Sequence, residues 1–159
     1  MNAVTGAPSA TVCAPGNSDR LRIHVIFTSP DETRLALRRA ERLAAGLEAE
    51  IALILTRVVP FPLPLDQPPT SIDFAQAQIQ SLTASLDTPV EGFVYLCRDP
   101  LRLLSSVLPK HALLVIGTGR GWIFARSKRL ARALRRNGHH VIIAASLSDV
   151  KRPLSDVKY

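Results

Sequence analysis

Between positions 21 and 145 the chain alternates two patterns. Short continuous apolar runs occur at 21–28, 51–59, 90–97, 112–116 and 141–145. Between them lie stretches where apolar residues return every three or four positions. The continuous runs are rich in β-branched residues, which predicts strands covered on both faces. After the first run, Ser29-Pro30-Asp31-Glu32 signals a helix start. Ser29 can cap, Pro30 suits the first helical position, and Glu32 completes a capping box. Ala36, Ala40, Leu43, Ala44 and Leu47 follow at helical spacing, with Gly46 as the expected stop. Further helices are predicted over 70–86, capped by Thr70 or Asp73, over 100–108, opened by Asp99-Pro100, and over 127–137, stopped by Gly138. Pro60, Pro62, Pro64, Pro68 and Pro69 interrupt both patterns and predict a stiff surface connection, with a lid or a docking segment as the alternative.

Strands that alternate with helices imply βαβ units with right-handed crossovers. The expected fold is therefore a Rossmann-like, three-layer α/β/α sandwich around a five-stranded parallel sheet. Ligands of such sheets bind at the carboxyl ends of the strands, near the point where the strand order reverses. A length of 159 residues fits one domain, over 21–146. Residues 1–20, rich in Ala, Pro, Gly, Ser and Thr, predict a disordered tail, and 147–159 a second tail.

Composition narrows the function classes. Cys13 and Cys97 are the only cysteines, which gives neither a disulfide framework nor a zinc-ligand spacing. No metal is expected, and a reducing compartment is. The start lacks a basic segment followed by an apolar core, and no apolar run approaches a membrane span, so a cytoplasmic location without membrane attachment is expected. The net charge of +7 is unevenly placed. Positions 100–148 hold nine Arg or Lys and no Asp or Glu, which points to an anionic guest.

The order and spacing of these elements resemble the universal stress protein family. The likeness runs from about residue 21 to 145 and rests on particular stretches. The first strand, its Ala-rich helix and the second strand match the family's first half. Arg98-Asp99-Pro100 followed by 101–108 and Ala112-Leu-Leu-Val-Ile-Gly117 resembles its Gly-Asp-Pro turn, helix and fourth strand. The segments Leu130-Ala-Arg-Ala-Leu134 and Val141-Ile-Ile-Ala resemble its closing unit. The resemblance implies a fold of the adenine nucleotide alpha hydrolase-like type, a frequent homodimer, and in one branch ATP at the carboxyl edge. In that branch an Asp ends the first strand, and a glycine motif after the fourth cradles the phosphates. Here Thr28 stands in place of that Asp. Gly117, Gly119 and Gly121 depart from the family spacing, and Arg126-Ser127 stands where a Gly-Ser pair would be. The ATP motif is therefore degenerate.

The candidate ligand site comprises Thr28, Ser29, Gly117, Thr118, Gly119, Arg120, Gly121, Arg126 and Ser127. Glycines let backbone N–H groups approach a phosphate, Arg120 and Arg126 can pair with its oxygens, and a helix starting near Ser127 adds its positive end. The plainer alternative is a tight turn that needs glycine and binds nothing. Thr28 can bond a base or ribose, while Asp31 and Glu32 disfavour a phosphate near the first helix. The basic helix, with Lys128, Arg129, Arg132, Arg135 and Arg136, is expected to be a solvated surface rather than a nucleic-acid contact. Trp122-Ile-Phe124 is expected outside regular structure, as a dimer contact or a plug over the core.

No His pairs with a Ser or Cys in a nucleophile motif, and no carboxylates line up for acid–base work. His24 is expected buried with its ring hydrogen-bonded. Cys97 ends a strand near Arg98, which can lower its pKa, but the plainer expectation is a half-buried free thiol. These features predict a stress-type regulatory protein that is not an enzyme, binding a nucleotide or other phosphorylated ligand after the fourth strand. The alternatives are a dimerisation or partner-binding module on the same fold and an enzyme of the related nucleotide-hydrolase folds.

Overall fold

The computed structural model describes residues 20–68, 71–119 and 122–145, and of 122–124 the backbone. Arg120, Gly121 and nearly all of both expected tails lie outside the described residues. The elements run β1 (Arg22–Ile26), α1 (Pro30–Leu47), β2 (Glu50–Val58), α2 (Ile72–Thr83), β3 (Val90–Cys97), α3 (Pro100–Val107), β4 (Leu113–Thr118), α4 (Trp122–Arg136) and β5 (His140–Ala145). The strands form one sheet in the order β3-β2-β1-β4-β5, every neighbouring pair parallel. This is the five-stranded α/β architecture that the alternation predicts.

Strand residues divide by parity between two cores, which is why the runs are continuously apolar. Ile23 and Val25 of β1 and Ile51, Leu53 and Leu55 of β2 face α1 and α2, where they meet Ala36, Leu37, Ala40, Ala75 and Ile79. Ile26, Ile54, Leu114 and Ile116 face the other way, onto Leu104 of α3 and Ala131 and Leu134 of α4. The strand order reverses between β1 and β4, so their carboxyl ends flank the switch point.

Several element ends differ from the sequence expectation. Helix α1 runs past Gly46 and closes at Glu48, whose φ of 51° takes the left-handed position and whose N–H reaches Ala44 O. Ser71 rather than Asp73 caps α2, its hydroxyl accepting from Phe74 N at 3.2 Å, and Thr70, the other expected cap, lies outside the described residues. Strand β4 continues through Gly117 and Thr118 because these pair in register with Ala144 and Ala145, and ladder bonding overrides the glycine. Helix α4 begins at Trp122 rather than Ser127, so the 122–124 segment is a helical turn and Ser127 lies inside the helix. Gly138 ends α4 as expected, with φ 87°.

Candidate functional site

The carboxyl ends of β1 and β2 open into a cleft of about 640 Å³ between the sheet edge and helices α3 and α4. Its walls combine three chemistries. Phe27, Leu101, Leu130 and Ala133 supply an apolar surface. Thr28, Ser29, Thr56 and Ser127 supply hydroxyls. Arg126 and Arg129 supply charge from one face of α4, and Asp99 lies opposite, at the start of α3. Arg57 also lines the cleft, but its guanidinium is committed to α2: it donates to Gln78 at 3.0 Å and lies 5.7 Å over the Phe74 ring.

Two polar atoms on these walls are buried without a hydrogen-bond partner, Thr28 Oγ1 and Arg57 Nε. Buried polar atoms are nearly always satisfied, so an orphan at a cleft wall marks a place for a ligand or water. Thr28 is held in position by its own backbone, whose N–H donates to Thr33 Oγ1 at 3.3 Å.

Beside the cleft, at the switch point, Glu32 departs from its expected role. Ser29 Oγ accepts from Glu32 N at 3.4 Å, which is half of a capping box. The carboxylate does not complete the box. Oε1 accepts the N–H of Gly119 at 2.7 Å, and Oε2 accepts the Ser127 hydroxyl at 3.3 Å. Glu32 is 4% exposed. The first turn of α1 is thereby tied across β4 to α4.

The sequence-predicted site residues separate accordingly. Thr28, Ser29, Arg126 and Ser127 come together in the cleft. Gly117, Thr118 and Gly119 do not line it. Gly117 packs against the α1 backbone, Thr118 is buried, and the Gly119 amide is taken by Glu32. The expectation that the amide of Gly119 cradles a phosphate is corrected: an internal carboxylate holds it. The expected dipole contribution from a helix starting at Ser127 is corrected too, since α4 starts five positions earlier.

One solved structure, described as a universal stress protein in complex with cAMP, matches over 80% of this chain and 98% of its own, with a TM-score of 0.51 and 17% sequence identity. The chain has the universal stress protein fold. A universal stress protein from Archaeoglobus fulgidus matches over 77% of this chain and 92% of its own, at TM-score 0.45 and 13% identity. No protein-family model matches the sequence, and no curated protein does.

On this universal stress fold the cleft draws on residues that the sequence signals less directly. Arg129, Leu130 and Ala133 share a helix face with Arg126, at the i, i+3, i+4, i+7 spacing of one stripe. Starting the helix at 127 cuts that stripe and leaves Arg126 in a turn. Asp99 is legible only as a cap, which it is: Oδ1 accepts from Leu101 N at 2.9 Å and Arg102 N at 3.3 Å.

Cys97 and His24 are both buried. Burial, and secondarily Asp99, push the Cys97 thiol up, away from reactivity. Arg98 does not help it, because its guanidinium donates to the carbonyls of Val59 and Leu63 and stacks 4.1 Å over Phe61. His24 is buried as expected, but its Nδ1 has no hydrogen-bond partner, and burial lowers its pKa to about 4. Among the described residues no group of His, Cys, Asp and Glu could hold a metal ion, and no helix is long and apolar enough to cross a membrane.

Proposed function

We propose that this chain is a cytoplasmic, universal-stress-like regulatory protein, not an enzyme, that binds a nucleotide or another phosphorylated ligand in the cleft at the carboxyl edge of its sheet. The observation that carries this reading is the unpartnered Thr28 Oγ1 in a cleft whose α4 wall bears Arg126 and Arg129 beside an apolar surface. A flat apolar body fits against Phe27, Leu101 and Leu130, and an anionic group pairs with the guanidinium groups. The cAMP in the similar universal stress protein is a ligand of this chemical type, and it lends this chain a candidate. Calorimetric titration of AMP, cAMP and ATP tests the reading. A saturable one-to-one heat with at least one of them, reduced about tenfold in affinity by joint Arg126→Ala and Arg129→Ala, supports it. No heat with any of the three at millimolar concentration refutes it.

A second reading is a homodimer or partner-binding module on the same fold. Its support is the apolar surface of the β2–α2 connection and the start of α2, where Phe61 is 82% and Phe74 56% exposed. Sedimentation of the chain across a concentration series separates the two: a dimer weakened by Phe61→Ser supports the second reading, and a monomer throughout removes the homodimer from it.

A further inference from the structure

We propose that Glu32 is a built-in anion at the switch point, and that it restricts the cleft to ligands with one compact anionic group while excluding a polyphosphate chain. The inference rests on the reading that the cleft takes a phosphorylated ligand, and it names the class.

In a doubly wound sheet the favoured seat for an anion lies at the switch point, where backbone N–H groups after the strands and the start of the following helix converge. Here that seat lies between β1 and β4 and is filled from inside the chain. The N–H of Gly119 and the hydroxyl of Ser127 both donate to the Glu32 carboxylate. The fit is close: a Cβ added to Gly119 would lie 2.9 Å from Oε1. Glu32 also stands in the first turn of α1, where a negative charge is favoured by the helix dipole. Withdrawing the side chain would take the acceptor from the part-buried Gly119 N–H.

The carboxylate lies directly behind the cleft wall. Ser29 and Ser127 both line the cleft, and each is hydrogen-bonded to Glu32, Ser29 through the Glu32 N–H and Ser127 through Oε2. A phosphate chain extending from the cleft toward Gly119 meets a like charge away from bulk solvent, where repulsion is poorly screened. One phosphate placed against Arg126 and Arg129 on α4 does not need that seat.

The test is calorimetric titration of AMP, ATP and inorganic pyrophosphate into the full-length wild-type chain, Glu32→Gln and Glu32→Ala, with circular dichroism to establish folding. Glu32→Gln keeps the size and an acceptor for Gly119 while removing the charge. The wild type is expected to bind AMP about tenfold or more tightly than ATP, and to give no heat with pyrophosphate. In folded Glu32→Gln, ATP tightens about tenfold, AMP stays within about threefold, and pyrophosphate binding appears. Glu32→Ala, if folded, shows the larger gain. Equal affinity of AMP and ATP for the wild type overturns the inference, as does an unchanged ratio in folded Glu32→Gln. If neither AMP nor ATP binds the wild type, and cAMP gives no heat either, the ligand reading falls separately. Pyrophosphate then decides: a gain on substitution upholds Glu32 as the anion, and no gain overturns it.

Discussion

Gly117 and Glu32 approach so closely that a Cβ on the glycine would lie 1.8 Å from the Glu32 carbonyl oxygen. The contact is backbone against backbone, so neither side can move away cheaply. Gly117→Ala is expected to destabilise the protein by about 3 kcal/mol or more, because α1 must lift off β4. Gly46→Ala is the matched control. Nothing lies within 4 Å of its added methyl, and it sits in a helix, so it should stabilise by about 0.5–1 kcal/mol. Urea unfolding of the two variants checks both signs.

His24 makes stability depend on pH in a defined window. Burial lowers its pKa to about 4, from the ordinary 6.5 of the unfolded chain. Between these values the unfolded chain binds a proton that the native chain does not, so stability is full above 6.5 and falls as pH drops toward 4. The shift corresponds to about 3 kcal/mol lost across the window. His139, lowered mainly by burial, acts in the same direction. His24→Leu removes the titration, and urea midpoints at about pH 7 and pH 4.5 should differ less in the variant than in the wild type. Equal pH slopes would refute the assignment.

Asp99 serves α3 and the cleft at once. Losing its two cap bonds in Asp99→Ala should cost about 1 kcal/mol of stability, whereas Asp99→Asn, an equally good cap, should stay within about 0.5 kcal/mol. The Asn variant also removes a negative charge from the cleft wall, so AMP should bind it about threefold more tightly. Thermal melts and calorimetry on the same two proteins separate the effects.

Cys97 should alkylate slowly in the native chain, since burial holds it 6% exposed and raises its pKa. Peptide mapping after iodoacetamide should show Cys97 modified fast only in denaturant. Rapid labelling in the native state would contradict the burial argument.

How much of this is legible in the sequence depends on how far apart the deciding residues lie. The bounds of β3, Val90–Cys97, follow from an apolar run set between Pro89 and Asp99-Pro100, and the structure keeps them. The Ser29 cap and the Pro30 start of α1 are equally local signals. The start of α4 is misjudged because Gly117 suggests a loop, while its strand conformation depends on Ala144, in another strand. Glu32 is hidden for the same reason. Four residues suffice to suggest a capping box, but its carboxylate serves Gly119 and Ser127, 87 and 95 positions further on. The cleft is half visible, as Thr28, Ser29, Arg126 and Ser127. Its other wall, Asp99 and Leu101, is joined to them only by the crossover of the sheet.

One side chain ties the proline-rich connection to the end of β3. Arg98 follows β3, yet its two terminal nitrogens clasp carbonyls four residues apart in the preceding loop while its guanidinium lies against one face of the Phe61 ring. A lysine there, a single point charge on a flexible stem, cannot make that fork. Arg98 thus works as a rivet between sheet and loop, and a chemical change confined to its guanidinium would loosen the loop without touching any prolyl ring.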